Sequence, residues 1–245
     1  MPGVKAALVH HLNRVLNRLG FELLVTDRRY LLRFGIDPVG VELLADLEFQ
    51  ASVRECHRHT LLDTARLANL WMLSRMSNPD GGVIEVGAYR GGSALHLSNA
   101  VPDRMVTICD TFAGFARYDP TVDSTFGRDA FTDASAAAVD RLFSGKGRAY
   151  RIIVGEFPGS VGSKSLGPIA FAHIDVDVYS ATIETLRYLS SRMIDHSLIV
   201  LDDRHRRAEG VDKAVGEFLN EDRRWLELPI FPAQALLVDR SWLAS

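Results

Sequence analysis

The sequence predicts an α/β fold: a doubly wound, mostly parallel, Rossmann-like sheet of seven strands carrying an N-terminal helical extension. Three observations predict it. Short runs of β-branched and apolar residues recur along the chain with helical patterns between them, which is how parallel sheets are built. Three of those runs carry acids at their ends: Val83-Ile84-Glu85-Val86-Gly87, His173-Ile174-Asp175-Val176-Asp177 and Ile199-Val200-Leu201-Asp202-Asp203. Open parallel sheets bind ligands in the crevice beyond the carboxyl ends of their strands. Unpaired buried charge is costly, so converging carboxylates ask for a cation or a polyhydroxyl ligand. Third, 245 residues at 47% hydrophobic and 24% charged suit one domain with a substantial core.

Residues 1–58 read as a helical extension or lid and 59–245 as the main domain. Val4, Leu8, Leu12, Val15 and Leu19 recur at helical spacing, interleaved with Lys5, Arg14 and Arg18. Such an amphipathic helix packs on its own domain or on a second copy; a membrane surface is the alternative. Asp37-Pro38 and Gly40 break it. A long helix is expected from Leu61 to Met76, opened by Thr60-Leu61-Leu62-Asp63 in the spacing of a capping box. Asn78-Pro79-Asp80-Gly81-Gly82 ends that helix. The seven expected strands are Val83–Val86, Met105–Cys109, Arg151–Val154, Ile169–Ile174, Leu198–Leu201, Trp225–Leu228 and Ala235–Val238. Residues 115–133, rich in Asp, Thr and Gly, read as a long loop over the crevice, the kind of segment that serves as a lid.

Composition narrows the partners. A formal net charge of -3, with no basic stripe, argues against a nucleic-acid binder. Two cysteines, Cys56 and Cys109, stand far apart and in no metal-like spacing, as expected of a reduced, cytoplasmic protein. No apolar stretch approaches the ~20 residues of a membrane span.

Glu85 through Ser93 form a strand–turn–helix transition in which glycines admit a close ligand and the helix offers its positive end. A dinucleotide fingerprint needs glycine two residues after Gly87, where Tyr89 stands, and this argues against a nicotinamide dehydrogenase. The pattern acid-x-Gly-x-x-x-Gly instead resembles the first motif of class I S-adenosylmethionine-dependent methyltransferases. Asp110, at the end of the second strand, suits a carboxylate accepting hydrogen bonds from both ribose hydroxyls.

Asp175 and Asp177 alternate along one strand end, so at most one of them should face the crevice. Asp177 could instead cap the helix that follows. The adjacent Asp202 and Asp203 repel each other unless a cation lies between them. Carboxylates without thiolates favour Mg²⁺ over zinc, with Mn²⁺ and Ca²⁺ as alternatives. One of Asp175 and Asp177, together with Asp202 and Asp203, would supply three carboxylates to such an ion.

From about His59 to Val215 the chain resembles the macrocin/mycinamicin (TylF-like) sugar O-methyltransferases. The resemblance rests on Arg66-Leu67-Ala68-Asn69-Leu70, Glu85 to Gly92, Asp110-Thr111-Phe112-Ala113-Gly114-Phe115, Gly155-Glu156-Phe157, Asp175-Val176-Asp177-Val178-Tyr179-Ser180-Ala181-Thr182, and Asp202-Asp203. It implies Mg²⁺-assisted methyl transfer from S-adenosylmethionine to a hydroxyl of a glycosylated metabolite or oligosaccharide, in a homo-oligomer. By the resemblance, Glu85, Gly87, Ala88, Tyr89, Gly91, Gly92 and Ser93, with Asp110, Thr111 and Phe112, would hold the cofactor, Gly155, Glu156 and Phe157 would lie near its adenine, and Asp175, Asp202 and Asp203 would hold the metal. The chain departs from the family pattern at Pro158-Gly159-Ser160-Val161 and at Arg204-His205-Arg206-Arg207. Asp175 is the first candidate for the base and His205 the second, while His173 reads as a core residue. The rival readings are methylation of a catechol or other small vicinal diol, and a non-catalytic S-adenosylmethionine-binding protein.

Overall fold

The computed structural model describes Leu43 and residues 45–123, 125–204 and 208–243. The helix expected over residues 4–19 lies outside them, as does His205. The chain divides into compact units at Pro38/Val39, and all described residues belong to the second unit. That unit starts earlier than the boundary expected at residue 59. Helix α1 (Leu47–Cys56) is part of its body, burying Phe49 against Ala68, Trp71 and Ala100.

Helix α2 spans Thr64–Met76, three residues shorter at its start than expected. Asp63 is its N-cap, accepting from the Arg66 N–H at 2.9 Å, whereas Thr60 Oγ1 accepts from Leu62 N–H in the preceding turn. The local sequence offered two capping residues in one window, and the one nearer the helix prevailed.

All seven strands form, in one sheet: β1 (Gly82–Val86), β2 (Val106–Asp110), β3 (Tyr150–Val154), β4 (Ile169–Ile174), β5 (Met193–Leu201), β6 (Trp225–Ile230) and β7 (Gln234–Asp239). Their order is β3-β2-β1-β4-β5-β7-β6, parallel except for β7, which runs antiparallel to both neighbours. Every residue of β4 is buried, as the near-continuous apolar run of a strand covered on both faces requires. Helices α1, α2, α3 (Gly92–Ala100) and α4 (Ala136–Phe143) cover one face with Leu67, Leu70, Leu95 and Phe143. Helices α5 (Tyr179–Ser190) and α6 (Glu209–Glu221) cover the other with Ile183, Leu186, Val215 and Phe218. No described helix is long and apolar enough to cross a membrane.

The strand order reverses between β1 and β4, the switch point at which such sheets open a crevice. Register brings the acids there together. Val86 pairs with Cys109 and with Ile174, and Ile174 pairs with Leu201. Gly87, Asp110, Asp175 and Asp202 therefore leave the sheet side by side.

Candidate active site

A cavity of about 280 Å³ opens at this edge. Gly87, Ala88, Tyr89 and Ser93 line it from the first strand, Asp110 and Thr111 from the second, and Gly155, Glu156 and Phe157 from the third. Asp175, Asp177, Asp202 and Asp203 line it from β4 and β5, and Arg66 from α2. Glu85, Gly91, Gly92 and Phe112 are not among the lining residues.

Gly87 adopts φ +90°, and a Cβ there would sit 1.9 Å from the Asp175 carbonyl oxygen. Glycine at this position lets the ends of β1 and β4 touch. Gly92 serves packing too, since its Cβ would fall 2.5 Å from the His59 carbonyl carbon. Asp110 accepts the Tyr89 N–H on Oδ2 at 2.7 Å and the Phe112 N–H on Oδ1 at 2.6 Å. Burial pushes its carboxyl pKa up while these N–H groups pull it down. Each oxygen keeps a further lone pair for a ligand hydroxyl.

Glu85 was expected to touch the cofactor. It is fully buried, and His173 Nδ1 stands 2.7 Å from its Oε1. Parity explains the difference: Glu85 precedes the strand end by one residue, so its side chain points into the α1–α3 face beside its register partner His173. His173 is a core residue, as expected, though its Nε2 has no hydrogen-bond partner.

The second correction concerns the acids of β4. Asp175, Asp177 and Asp203 gather, with one oxygen of each lying within 4.8 Å of the others. The alternation argument fails because β4 stops at Ile174, and Asp177 then adopts φ 59°. Nor does Asp177 cap α5. Val178 is the N-cap, and the Tyr179 N–H is taken by Asp123 Oδ1 at 2.8 Å. Asp203 also has positive φ, as do Tyr89, Phe112 and Phe131 around the same crevice. Strain of this kind, about 1–3 kcal/mol per residue, persists where the surroundings enforce it and concentrates at functional sites. Burial raises the Asp175 and Asp177 carboxyls well above the usual range, and the neighbouring carboxylates push them further.

Asp202 was expected among the metal ligands. Its Oδ2 accepts from Arg66 Nη1 at 2.5 Å, while Oδ1 is buried without a hydrogen-bond partner, and the acid itself lines the cavity beside the other three. Asp202 continues the parity of Val200 toward the face covered by α2. The donor set fits a hard divalent cation: oxygen only, closely spaced, and short of positive charge.

Two further groups escaped the sequence reading. The loop after β2 is fastened, not free. Asp123 is buried, its Oδ2 accepts the Asp119 N–H at 3.0 Å, Ser180 Oγ donates to the Arg117 carbonyl at 2.9 Å, and the Arg117 guanidinium pairs with Glu156 and Glu184. The same loop packs Phe131 edge-on against Tyr89, Phe115 and Phe126, making an aromatic wall on the cavity. Arg204 turns away from the crevice to pair with Asp212 and Glu227. The aromatics were readable as residues, but only the loop path puts them side by side.

Residues 50–231 match the model of the macrocin-O-methyltransferase (TylF) family. The chain is 27% identical over 164 residues to the mycinamicin III 3''-O-methyltransferase of Micromonospora griseorubida. That match covers 59% of this chain and 65% of the relative, just under two thirds of its length. In fold the chain is similar to the O-methyltransferase NovP, with TM-score 0.64 and 22% identity over 76% of this chain and 87% of that one. It is also similar to a calicheamicin methyltransferase, with TM-score 0.57 and 19% identity over 89% and 98% of the respective chains.

Proposed function

Because this chain belongs to the macrocin-O-methyltransferase (TylF) family, we propose that it methylates a sugar hydroxyl of a glycosylated metabolite or oligosaccharide, using S-adenosylmethionine and a divalent cation such as Mg²⁺. The observation that carries this reading is one cavity holding both a glycine turn backed by Asp110 and the Asp175, Asp177 and Asp203 cluster. When bound, the cofactor would supply an electrophilic methyl group and the cation a Lewis-acidic site that lowers the pKa of a hydroxyl.

The residues of the chain divide the work. Gly87, Ala88, Tyr89 and Ser93 receive the methionine end, and Asp110 accepts from the ribose. Thr111 lines the same side, with Gly155, Glu156 and Phe157 at the adenine. Glu85, Gly91, Gly92 and Phe112 support that surface from behind. Asp175, Asp177 and Asp203 would hold the cation, and Asp202 would stand beside them with its Oδ1 unpaired. Asp175 takes the acceptor proton from its place between glycine turn and acid cluster. Orientation of the acceptor against the methyl donor supplies several kcal/mol of the rate enhancement.

The test is mass spectrometry of candidate saccharides incubated with S-adenosylmethionine, with and without EDTA. A product one methyl group heavier, lost with EDTA and restored by Mg²⁺, is expected. Methyl transfer indifferent to EDTA would remove the cation from the reading, and cofactor binding without any transfer would favour a non-catalytic protein. The aromatic wall of Tyr89, Phe115, Phe126 and Phe131 favours a second acceptor class, a catechol or other small vicinal diol, so catechols belong in the same assay.

A further inference from the structure

The acid cluster has a cation of its own. Arg66 Nη1 donates to Asp202 Oδ2 at 2.5 Å and stands 4.0 Å from Asp203 Oδ1, while Nη2 donates to the Leu61 carbonyl at 3.2 Å. The Asp202 side chain is 1% exposed, against 19% for Arg66. Yet the pair is unfinished: Asp202 Oδ1 is buried without a hydrogen-bond partner, and Arg66 Nε, which makes no hydrogen bond, has only Asp63 Oδ2 at 3.5 Å. An ion pair built only to hold a fold would spend those atoms, because orphaned buried polar groups are costly. This one is left incomplete on the wall of the cavity, beside three further carboxylates.

We infer that Arg66 is the resident counter-cation of the acidic centre, holding Asp202 in the metal-free protein and opposing the divalent ion that binds there. The inference rests on the divalent-cation reading proposed above. Its physical basis is that both cations are stabilised by the same carboxylates and repel each other across a few ångströms. Arg66 Nη1 lies within 4.0 Å of both Asp202 and Asp203, so its charge bears on the centre directly. Two ligands that oppose each other do so reciprocally. Arg66 therefore keeps the empty centre folded and keeps the bound ion exchangeable. It is a positioning residue, acting through Asp202.

Mn²⁺ binding, followed by calorimetry and by electron paramagnetic resonance, separates this role from a purely structural one by its sign. Arg66→Met should bind Mn²⁺ roughly fivefold more tightly or better, the scale of ordinary coupling between two sites. Its melting temperature should fall without metal and recover when Mn²⁺ is added. Arg66→Lys, which keeps the charge, should bind Mn²⁺ close to the wild type. A merely structural Arg66 predicts weaker Mn²⁺ binding in Arg66→Met, and equal or weaker binding in a folded Arg66→Met protein overturns the inference. Should that variant not fold, the wild type decides: Mg²⁺ should shift the Arg66 Nε–Hε resonance, assigned by its loss in Arg66→Lys, and an unmoved resonance overturns the inference. If the wild type binds no Mn²⁺, the divalent-cation reading itself falls and takes this inference with it.

Discussion

The crevice end of β4 and β5 and the helical layer behind β1 both bury ionisable side chains, and they treat them in opposite ways. Behind β1, His96 is fully buried with both ring nitrogens engaged, Nδ1 with Ser52 Oγ at 2.8 Å and Nε2 with the Leu67 carbonyl at 3.1 Å. Asn99 backs Ser52 at 3.1 Å, and Phe49 and Trp71 pack on the ring. At the crevice, Asp175, Asp177 and Asp203 have one another and Arg66 for company. The first arrangement is complete without a ligand and fastens α1, α2 and α3 together. The second is costly as it stands and gains from a cation. The His96 network holds this fold, and the clustered crevice acids point to its chemistry.

The sharpest way to break the contrast is Asp175→Ala. Turnover should drop by about 10³-fold, within the usual range for loss of a proton-transfer group. The metal-free melting temperature should hold or rise, since one member of a repelling cluster is gone. Steady-state rates alongside thermal melts check both, and a collapsed melt would show the acid to be structural.

A smaller effect distinguishes the helical layer. Burial lowers the His96 pKa from 6.5 to about 4, so the folded protein keeps the ring neutral. A depressed pKa means stability that is present above about pH 6.5 and lost as pH falls toward 4. At about 1.4 kcal/mol per pKa unit the loss is ~3 kcal/mol. Urea denaturation across that window should show it in the wild type and show less of it in His96→Gln. An identical acid loss in both proteins would mean that other groups carry it.

The smallest expected effect is Ser52→Ala, about 1 kcal/mol from one buried hydrogen bond, with turnover unchanged. Chemical denaturation with a parallel rate assay measures it. A changed rate would mean that the helical layer is coupled to the crevice.

How far the sequence carried can be seen in single residues. The strand beginning at Met193 was expected only from Leu198, because Asp195 and His196 interrupt the apolar run although Met193 still pairs with Ile169. Asp110 was legible because it needs nothing but a strand end. Alternation allows only one of Asp175 and Asp177 to face the crevice because it assumes a straight strand, and the chain kinks just past Ile174. Arg66 was visible as a residue but carried no local signal of its role. Its partner lies 136 positions away in sequence, and no window of spacing spans that distance.

Alternating apolar runs, glycine turns and strand-end acids by themselves determined the doubly wound sheet, its crevice and the convergence of carboxylates there. Those features follow from local periodicity and from register, both of which are written in short stretches of chain. Which acid faces which partner was decided only in three dimensions: Glu85 by His173, Asp202 by Arg66, and Asp175 by its two fellow aspartates. Charge pairing depends on distance through space, and the folded sheet alone sets those distances.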